Sequence, residues 1–204
     1  MAKQLNPVLG FFDPMGLAEA DFWGTGNEAT IGFLRHSEIK HGRIAMFAFV
    51  GYIVHANGIK FPFPMQMDGT PFPSETNPPA LWDAIPENAK WQIFLFIGAL
   101  EYWSELSTAT HKHYMAGGKP GDYPDFGGPM PFNFYDPFGL SKNMSAEQKE
   151  SRLRSELNNG RLAQIGILAF LSEQCTPGSV PLLSGIVPPY AGEPMAPFAN
   201  SIFG

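Results

Sequence analysis

One nine-residue pattern occurs twice in this chain. Ser37-Glu38-Ile39-Lys40-His41-Gly42-Arg43-Ile44-Ala45 matches Ser155-Glu156-Leu157-Asn158-Asn159-Gly160-Arg161-Leu162-Ala163. Upstream of each copy lies a second matched pair, Phe12-Asp13-Pro14-Met15-Gly16-Leu17 and Tyr135-Asp136-Pro137-Phe138-Gly139-Leu140. Each half therefore reads Asp-Pro-x-Gly-Leu, a spacer, then Glu-x-x-(His/Asn)-Gly-Arg. A single match is compatible with chance. Two matches in the same order imply two similar units related by a pseudo-two-fold axis.

Both copies lead into apolar stretches, Ile44–Ile59 and Leu162–Leu171, and a third stretch covers Trp91–Leu100. None is an uninterrupted run of the ~20 apolar residues that mark a spanning helix. Mean hydropathy is only -0.09. Each stretch nevertheless extends upstream without a breaker, predicting helices over about 30–57, 86–112 and 145–173. The first and third would each measure about 42 Å at ~1.5 Å per residue, long enough to tilt across a bilayer and project into water. Ser145-Ala146-Glu147-Gln148 fits a capping box. Pro86 and Glu87 suit a first helical turn. Proline-rich segments at 61–79 and 117–137 separate the helices, and 176–197 forms a tail. The expected fold is an all-α membrane protein, one domain over 1–204, with three transmembrane helices. Its first and third helices cross about the pseudo-two-fold axis.

Composition supports this class. Charged residues make up 16% and aromatics 14% of the chain, against about a quarter charged in ordinary soluble domains. The net charge of -6, with scattered Lys and Arg, argues against nucleic acid as a partner. The single cysteine, Cys175, excludes an internal disulfide and a Cys-rich metal site. Residues 1–15 resemble neither a signal peptide nor an Arg/Ser-rich transit sequence.

On a helix, Glu38 and His41 share a face, whereas Arg43, five residues from Glu38, lies on another. Neither glutamate readily pairs with its own arginine. Crossing the two helices solves this reciprocally, Glu38 with Arg161 and Glu156 with Arg43, in the logic of an isologous contact. Ionisable groups beside hydrocarbon require such a partner or a ligand. The bland alternative is an ion-pair network with no ligand, and for His41 a hydrogen-bonded core histidine. The duplicated flanks and the symmetry mate Asn159 favour ligation. Glu, His and Asn are all suitable axial donors to the Mg²⁺ of a chlorin, whose in-plane positions are already filled. A glutamate donor adds a buried negative charge that an arginine removes, while His and Asn need no such partner. Gly42 and Gly160 remove bulk where a macrocycle or the other helix approaches.

His55 and Glu173 each lie twelve residues after the motif arginine, so the repeat makes them equivalent candidate ligands. On the middle helix Gln92 and Glu101 are polar positions in an apolar stretch. Glu101 and Glu105 share a face, one expected as a ligand and the other as a solvated end residue. His36, His111 and His113 are expected at an interface rather than on a metal. The phenylalanines are expected in the core or against lipid, where flat pigments also pack well.

These motifs resemble the light-harvesting chlorophyll-binding protein superfamily over nearly the whole chain. Within it the chain is similar to the chlorophyll a/c antennas of algae with complex plastids. His113–Pro120, Gly178–Pro181 and Glu193–Phe198 look most like dinoflagellate peridinin–chlorophyll a/c membrane antennas, with diatom fucoxanthin–chlorophyll proteins next. The resemblance implies chlorophyll a on Glu38, His41, Glu156 and Asn159, with Arg43 and Arg161 as partners. It implies two central carotenoids with ring ends near Asp13-Pro14 and Asp136-Pro137. Glu101 aligns with a family chlorophyll ligand, and Gln92 resembles one used in chlorophyll c antennas.

Where the family often has Gln, this chain has Glu173 followed by Gln174. The pigment there is absent, water-bridged, or held by Gln174 after a small shift. Gln164 replaces the usual Met. The implied cofactors are chlorophyll a, chlorophyll c and carotenoids: peridinin and diadinoxanthin, or fucoxanthin. The implied setting is the plastid thylakoid membrane, multi-pass, beside a photosystem core (I or II), neighbouring antenna subunits and thylakoid lipids. Such a protein is not an enzyme: it absorbs light and passes excitation on. Three alternatives stand beside it. One is a photoprotective member of the same family, another a pigment-free scaffold. The third is a di-iron carboxylate enzyme, because Glu-x-x-His is half of that motif.

Overall fold

A computed structural model describes residues 5–108, 111–124, 138, 143–194 and 196–198. These form helices and turns, with no strand among them. The α-helices among the described residues are α1 (Asn27–Ala56), α2 (Pro78–Ala84), α3 (Glu87–Ser104) and α4 (Ala146–Cys175). Short 3-10 turns lie at Leu17–Glu19 and Tyr114–Ala116.

Local chemistry sets the helix ends. α1 stops in a Schellman motif: Gly58 takes φ 70°, its N–H donates to His55 O at 2.9 Å, and Ile59 N–H donates to Val54 O at 3.2 Å. α4 starts in the expected capping box. Gln148 N–H donates to Ser145 Oγ at 3.3 Å, and Ser145 N–H donates to Gln148 Oε1 at 3.1 Å. Ser145→Ala is therefore expected to lower stability by about 1 kcal/mol; an unchanged thermal midpoint would contradict the cap.

Two boundaries differ from the sequence reading. α3 ends at Ser104 rather than near 112. Ser104 Oγ donates to the Glu101 carbonyl at 2.7 Å, and hydroxyl side chains of this kind compete with helical bonding. Just beyond, the Glu105 carboxylate accepts from His113 Nε2 at 2.8 Å and from Tyr114 Oη at 2.9 Å. The chain is thereby turned back instead of continuing as helix. The extra helix α2 begins where Pro78 and Pro79 occupy first-turn positions, which suit proline.

No helix among the described residues is long and apolar enough to cross a membrane by hydropathy. The cause is local. The motif charges interrupt α1 and α4, and the 18 residues of α3 include Glu87, Lys90 and Glu101.

The chain divides into two compact units, Met1–Ile44 with Ala99–Arg161, and Ala45–Gly98 with Leu162–Gly204. In the first, α1 and α4 meet backbone to backbone: a Cβ on Gly160 would lie 2.9 Å from Gly42 Cα. Ile39 and Leu157 are buried in this unit. The second is organised by stacked rings. Phe170 stacks on Phe49 and Tyr52, with centroids 5.2 and 4.5 Å apart. Gly166 makes room, since a Cβ there would meet the Phe49 ring at 2.7 Å. In the same unit the tail is tied down by Trp82 Nε1, which donates to Pro197 O at 3.1 Å, and by Phe198 against Trp91 and Phe94.

Candidate pigment-ligand site

The first unit brings both motif glutamates onto the opposite helix's arginine. Arg43 Nε donates to Glu156 Oε1 at 2.6 Å. Arg161 Nε donates to Glu38 Oε1 at 2.7 Å, with Nη2 at 2.6 Å from the same oxygen. In both pairs the arginine engages Oε1, so each carboxylate is neutralised on one oxygen and keeps Oε2 as a donor. The Arg43–Glu156 pair is the more enclosed, at 30%/30% side-chain exposure against 43%/35% for Arg161–Glu38.

His41 is exposed, and its Nδ1 lies 2.8 Å from the Ser37 carbonyl. A carbonyl only accepts, so Nδ1 carries the proton and Nε2 presents a lone pair. That is the tautomer a metal ligand needs. Asn159 is exposed on α4. Around the Glu38–Arg161 pair lies a groove of about 570 Å³, lined by Leu9, Asp13, Leu34, Ile39 and Leu157 among others. Asp13 closes the 17–19 turn at its edge, accepting from Leu17 N–H at 3.0 Å and Ala18 N–H at 2.9 Å. Pro14 follows it directly. The matching Asp136 and Pro137 lie outside the described residues.

Glu101 is also charge-paired. Lys40 Nζ donates to its Oε2 and lies 3.8 Å from Glu105 Oε1. No local pattern in the sequence marks this partner, although Lys40 sits inside the repeat. Of Glu101 and Glu105, one is expected from the sequence to be a solvated end residue. Glu105 gathers Lys40, His113 and Tyr114. Burial pushes its carboxyl up, but the hydrogen bonds from His113 and Tyr114 outweigh this and hold it below the ordinary 4.5.

A depressed carboxylate contributes stability above its unfolded pKa and loses it as pH falls through the folded value. The stability that Glu105 contributes, measured as the difference between the wild type and Glu105→Gln, is thus expected to persist down to about pH 4.5 and to be lost only below it. A Glu105 contribution that vanishes already near neutrality would contradict this reading. His36, expected at an interface, is 3% exposed, because Tyr114 stacks on it with centroids 3.9 Å apart.

In the second unit His55 and Gln92 are exposed, and their side chains make no hydrogen bond among the described residues. Their counterparts at the end of α4 differ. Glu173 is buried and accepts from Gly178 N–H and Val180 N–H, both at 2.8 Å, one on each oxygen. Its carboxylate closes the turn after α4. Gln174 is buried too; its Nε2 donates to Asn77 Oδ1 at 2.5 Å, and its Oε1 has no hydrogen-bond partner among the described residues. The repeat-based equivalence of His55 and Glu173 thus joins a free imidazole to a carboxylate already held by backbone. Among the described residues no group of three or more His, Cys, Asp or Glu side chains is placed to hold a bare metal ion.

The Chlorophyll A-B binding protein family matches residues 1–175. The chain is 40% identical over 166 residues to fucoxanthin-chlorophyll a-c binding protein F, chloroplastic, of Phaeodactylum tricornutum, covering 81% of this chain and 74% of that protein. It is 38% identical over 183 residues to the corresponding protein of Trieres chinensis, covering 87% and 80%. Protein A of Macrocystis pyrifera is 39% identical over 165 residues, covering 80% and 66%. With the family match spanning both repeat helices and the crossed ion pairs between them, the chain belongs to the chlorophyll a/b-binding protein family.

Proposed function

We propose that this chain is a light-harvesting antenna protein in which Glu38, His41, Glu156 and Asn159 hold chlorophyll magnesium. The carrying observation is the state of the donors: two glutamates neutralised on one oxygen each, and an imidazole with Nε2 free. Bound chlorophyll supplies light absorption and excitation transfer. The protein's residues fix each macrocycle's position and orientation and exclude water from it. Glu101, compensated by Lys40, is a fifth donor by the same logic, and His55 and Gln92 are exposed donors in the second unit. Glu173 is engaged as a turn closure, which favours Gln174 or no pigment there.

The same reading places three spans in the plastid thylakoid membrane beside a photosystem core and other antenna subunits. Large apolar side chains are exposed on every long helix: Phe47 on α1, Leu95 and Phe96 on α3, Leu162, Ile165 and Leu168 on α4. Belts of this extent call for lipid or pigment cover. The relatives' names point to chlorophyll a, chlorophyll c and fucoxanthin. Peridinin and diadinoxanthin are the alternative carotenoids, and the groove edge at Asp13-Pro14 suits a ring end.

Pigment extraction from the purified protein followed by chromatography tests the proposal. Chlorophylls a and c with a carotenoid are expected, and a colourless extract would refute it. His41→Leu is expected to remove one chlorophyll and leave the fold intact, since the side chain is exposed. Unchanged pigment stoichiometry would remove His41 from the ligand set.

A further inference from the structure

Residues 111–124 lie along one face of α1 within the first unit. Tyr114 stacks on His36 at an interplanar angle of 15°. Its backbone oxygen passes so close to Gly32 that a Cβ there would be 2.5 Å away. Gly121 N–H donates to His36 Nδ1 at 3.2 Å, and Gly121 O accepts from Arg43 Nη1 at 2.7 Å. His36 and Arg43 are seven residues apart, two turns on one helix face. They clamp one residue's N–H and C=O between them. Gly121 takes φ 85°, and a Cβ would lie 3.0 Å from Ile39, so glycine alone fits without strain. The Arg43 guanidinium also sits 5.6 Å from the Tyr123 ring centroid.

This makes the two crossed pairs unequal. Arg43 divides its donors between Glu156 and Gly121 and is held from three sides. Arg161 makes its hydrogen bond and ion pair to Glu38. The repeat aligns His36 with Arg154, which has no lone pair to accept an N–H, so the histidine of this clamp is not repeated on the other helix.

We infer that residues 111–124 are a positioning strap for Arg43, acting through His36 and Gly121, that makes the Glu156 pigment site tighter and spectrally distinct from the Glu38 site. The inference rests on reading Glu156 as a magnesium ligand. Groups hydrogen-bonded to a metal ligand set its orientation and basicity, and their removal commonly costs 10–100-fold in affinity. His36 and Gly121 act one step further out, so the lower end applies. Fixing the guanidinium fixes both the direction of the free Oε2 and the local field at the pigment.

The test uses the full chain reconstituted with chlorophyll a and carotenoid. Arg43→Leu/Glu156→Leu removes ligand and counter-ion together, and the absorption band it loses identifies the Glu156 site. Glu38→Leu/Arg161→Leu identifies the other. His36→Phe keeps the ring that stacks on Tyr114 but removes the acceptor for Gly121. It is expected to shift the Glu156-site band and to release that pigment about tenfold faster in mild detergent, leaving the Glu38-site band in place. His36→Asn supplies an acceptor near the Nδ1 position and is expected to restore most of the wild-type band. If His36→Phe does not assemble, Tyr123→Leu serves instead, with a smaller shift of the same band.

A Glu156-site band unmoved in these variants overturns the strap alone. Equal shifts at both sites also overturn it, because a general loosening would do the same. A double Leu variant that keeps its full pigment content overturns the ligand reading and the strap with it.

Discussion

Arg43→Leu is expected to lower stability by roughly 3 kcal/mol and to strip the chlorophyll assigned to Glu156. Removing one partner of an enclosed ion pair costs about that much, because the other charge stays without compensation. Here Glu156 is the stranded charge, and the Gly121 carbonyl loses its guanidinium donor as well. Arg161→Leu is expected to cost less, since its pair is more open to solvent. Arg43→Leu/Glu156→Leu should recover much of the stability, because an apolar pair can replace a salt bridge at little cost. It should not recover the pigment. Thermal unfolding together with pigment stoichiometry checks all three variants. Equal losses for Arg43→Leu and Arg161→Leu would contradict the asymmetry between the pairs.

Gly160→Ala separates tertiary packing from helix propensity by its sign. By propensity alone, alanine in a helix interior stabilises by about 1 kcal/mol over glycine. The contact geometry says otherwise: the added Cβ would lie 2.9 Å from Gly42 Cα and 3.3 Å from Gly42 C. Those are backbone atoms, which cannot rotate away. The helices must move apart, and the two ion pairs flanking the crossing lengthen with them. Overpacking of this kind costs about 1–3 kcal/mol, so a net destabilisation is expected, larger for Gly160→Val. Reduced reconstitution yield and a lower thermal midpoint are the readouts. A more stable Gly160→Ala protein would mean that the helices do not meet at this glycine.

The crossed pairs were legible in the sequence because helical angles forbid Glu38 from reaching Arg43, and the repeat offers only one other arrangement. The capping box at Ser145 was legible because its partners are three residues apart. Contacts between distant segments were not. Lys40 reaches Glu101 across 61 positions, and no local pattern marks that pairing. The turn of 111–124 onto α1 depends on Gly32 and Gly121, which in the sequence look like any other glycines. The engagement of Glu173 by backbone was not legible either, since the repeat records position along a helix but not the loop that follows it. Gly178 supplies that loop's left-handed residue, at φ 85°, and delivers an N–H to the carboxylate. The early end of α3 was obscured because no Gly or Pro occurs between Ser104 and Gly117, and it was decided by a serine hydroxyl and by Glu105's partners.

The most direct test is an experimental density map of the pigment-loaded protein. The account predicts chlorophyll magnesium about 2.1 Å from an oxygen of Glu38 and of Glu156. Each carboxylate's other oxygen should remain bonded to Arg161 and Arg43 respectively. Macrocycles held by other residues, or arginines turned away from liganded carboxylates, would contradict it.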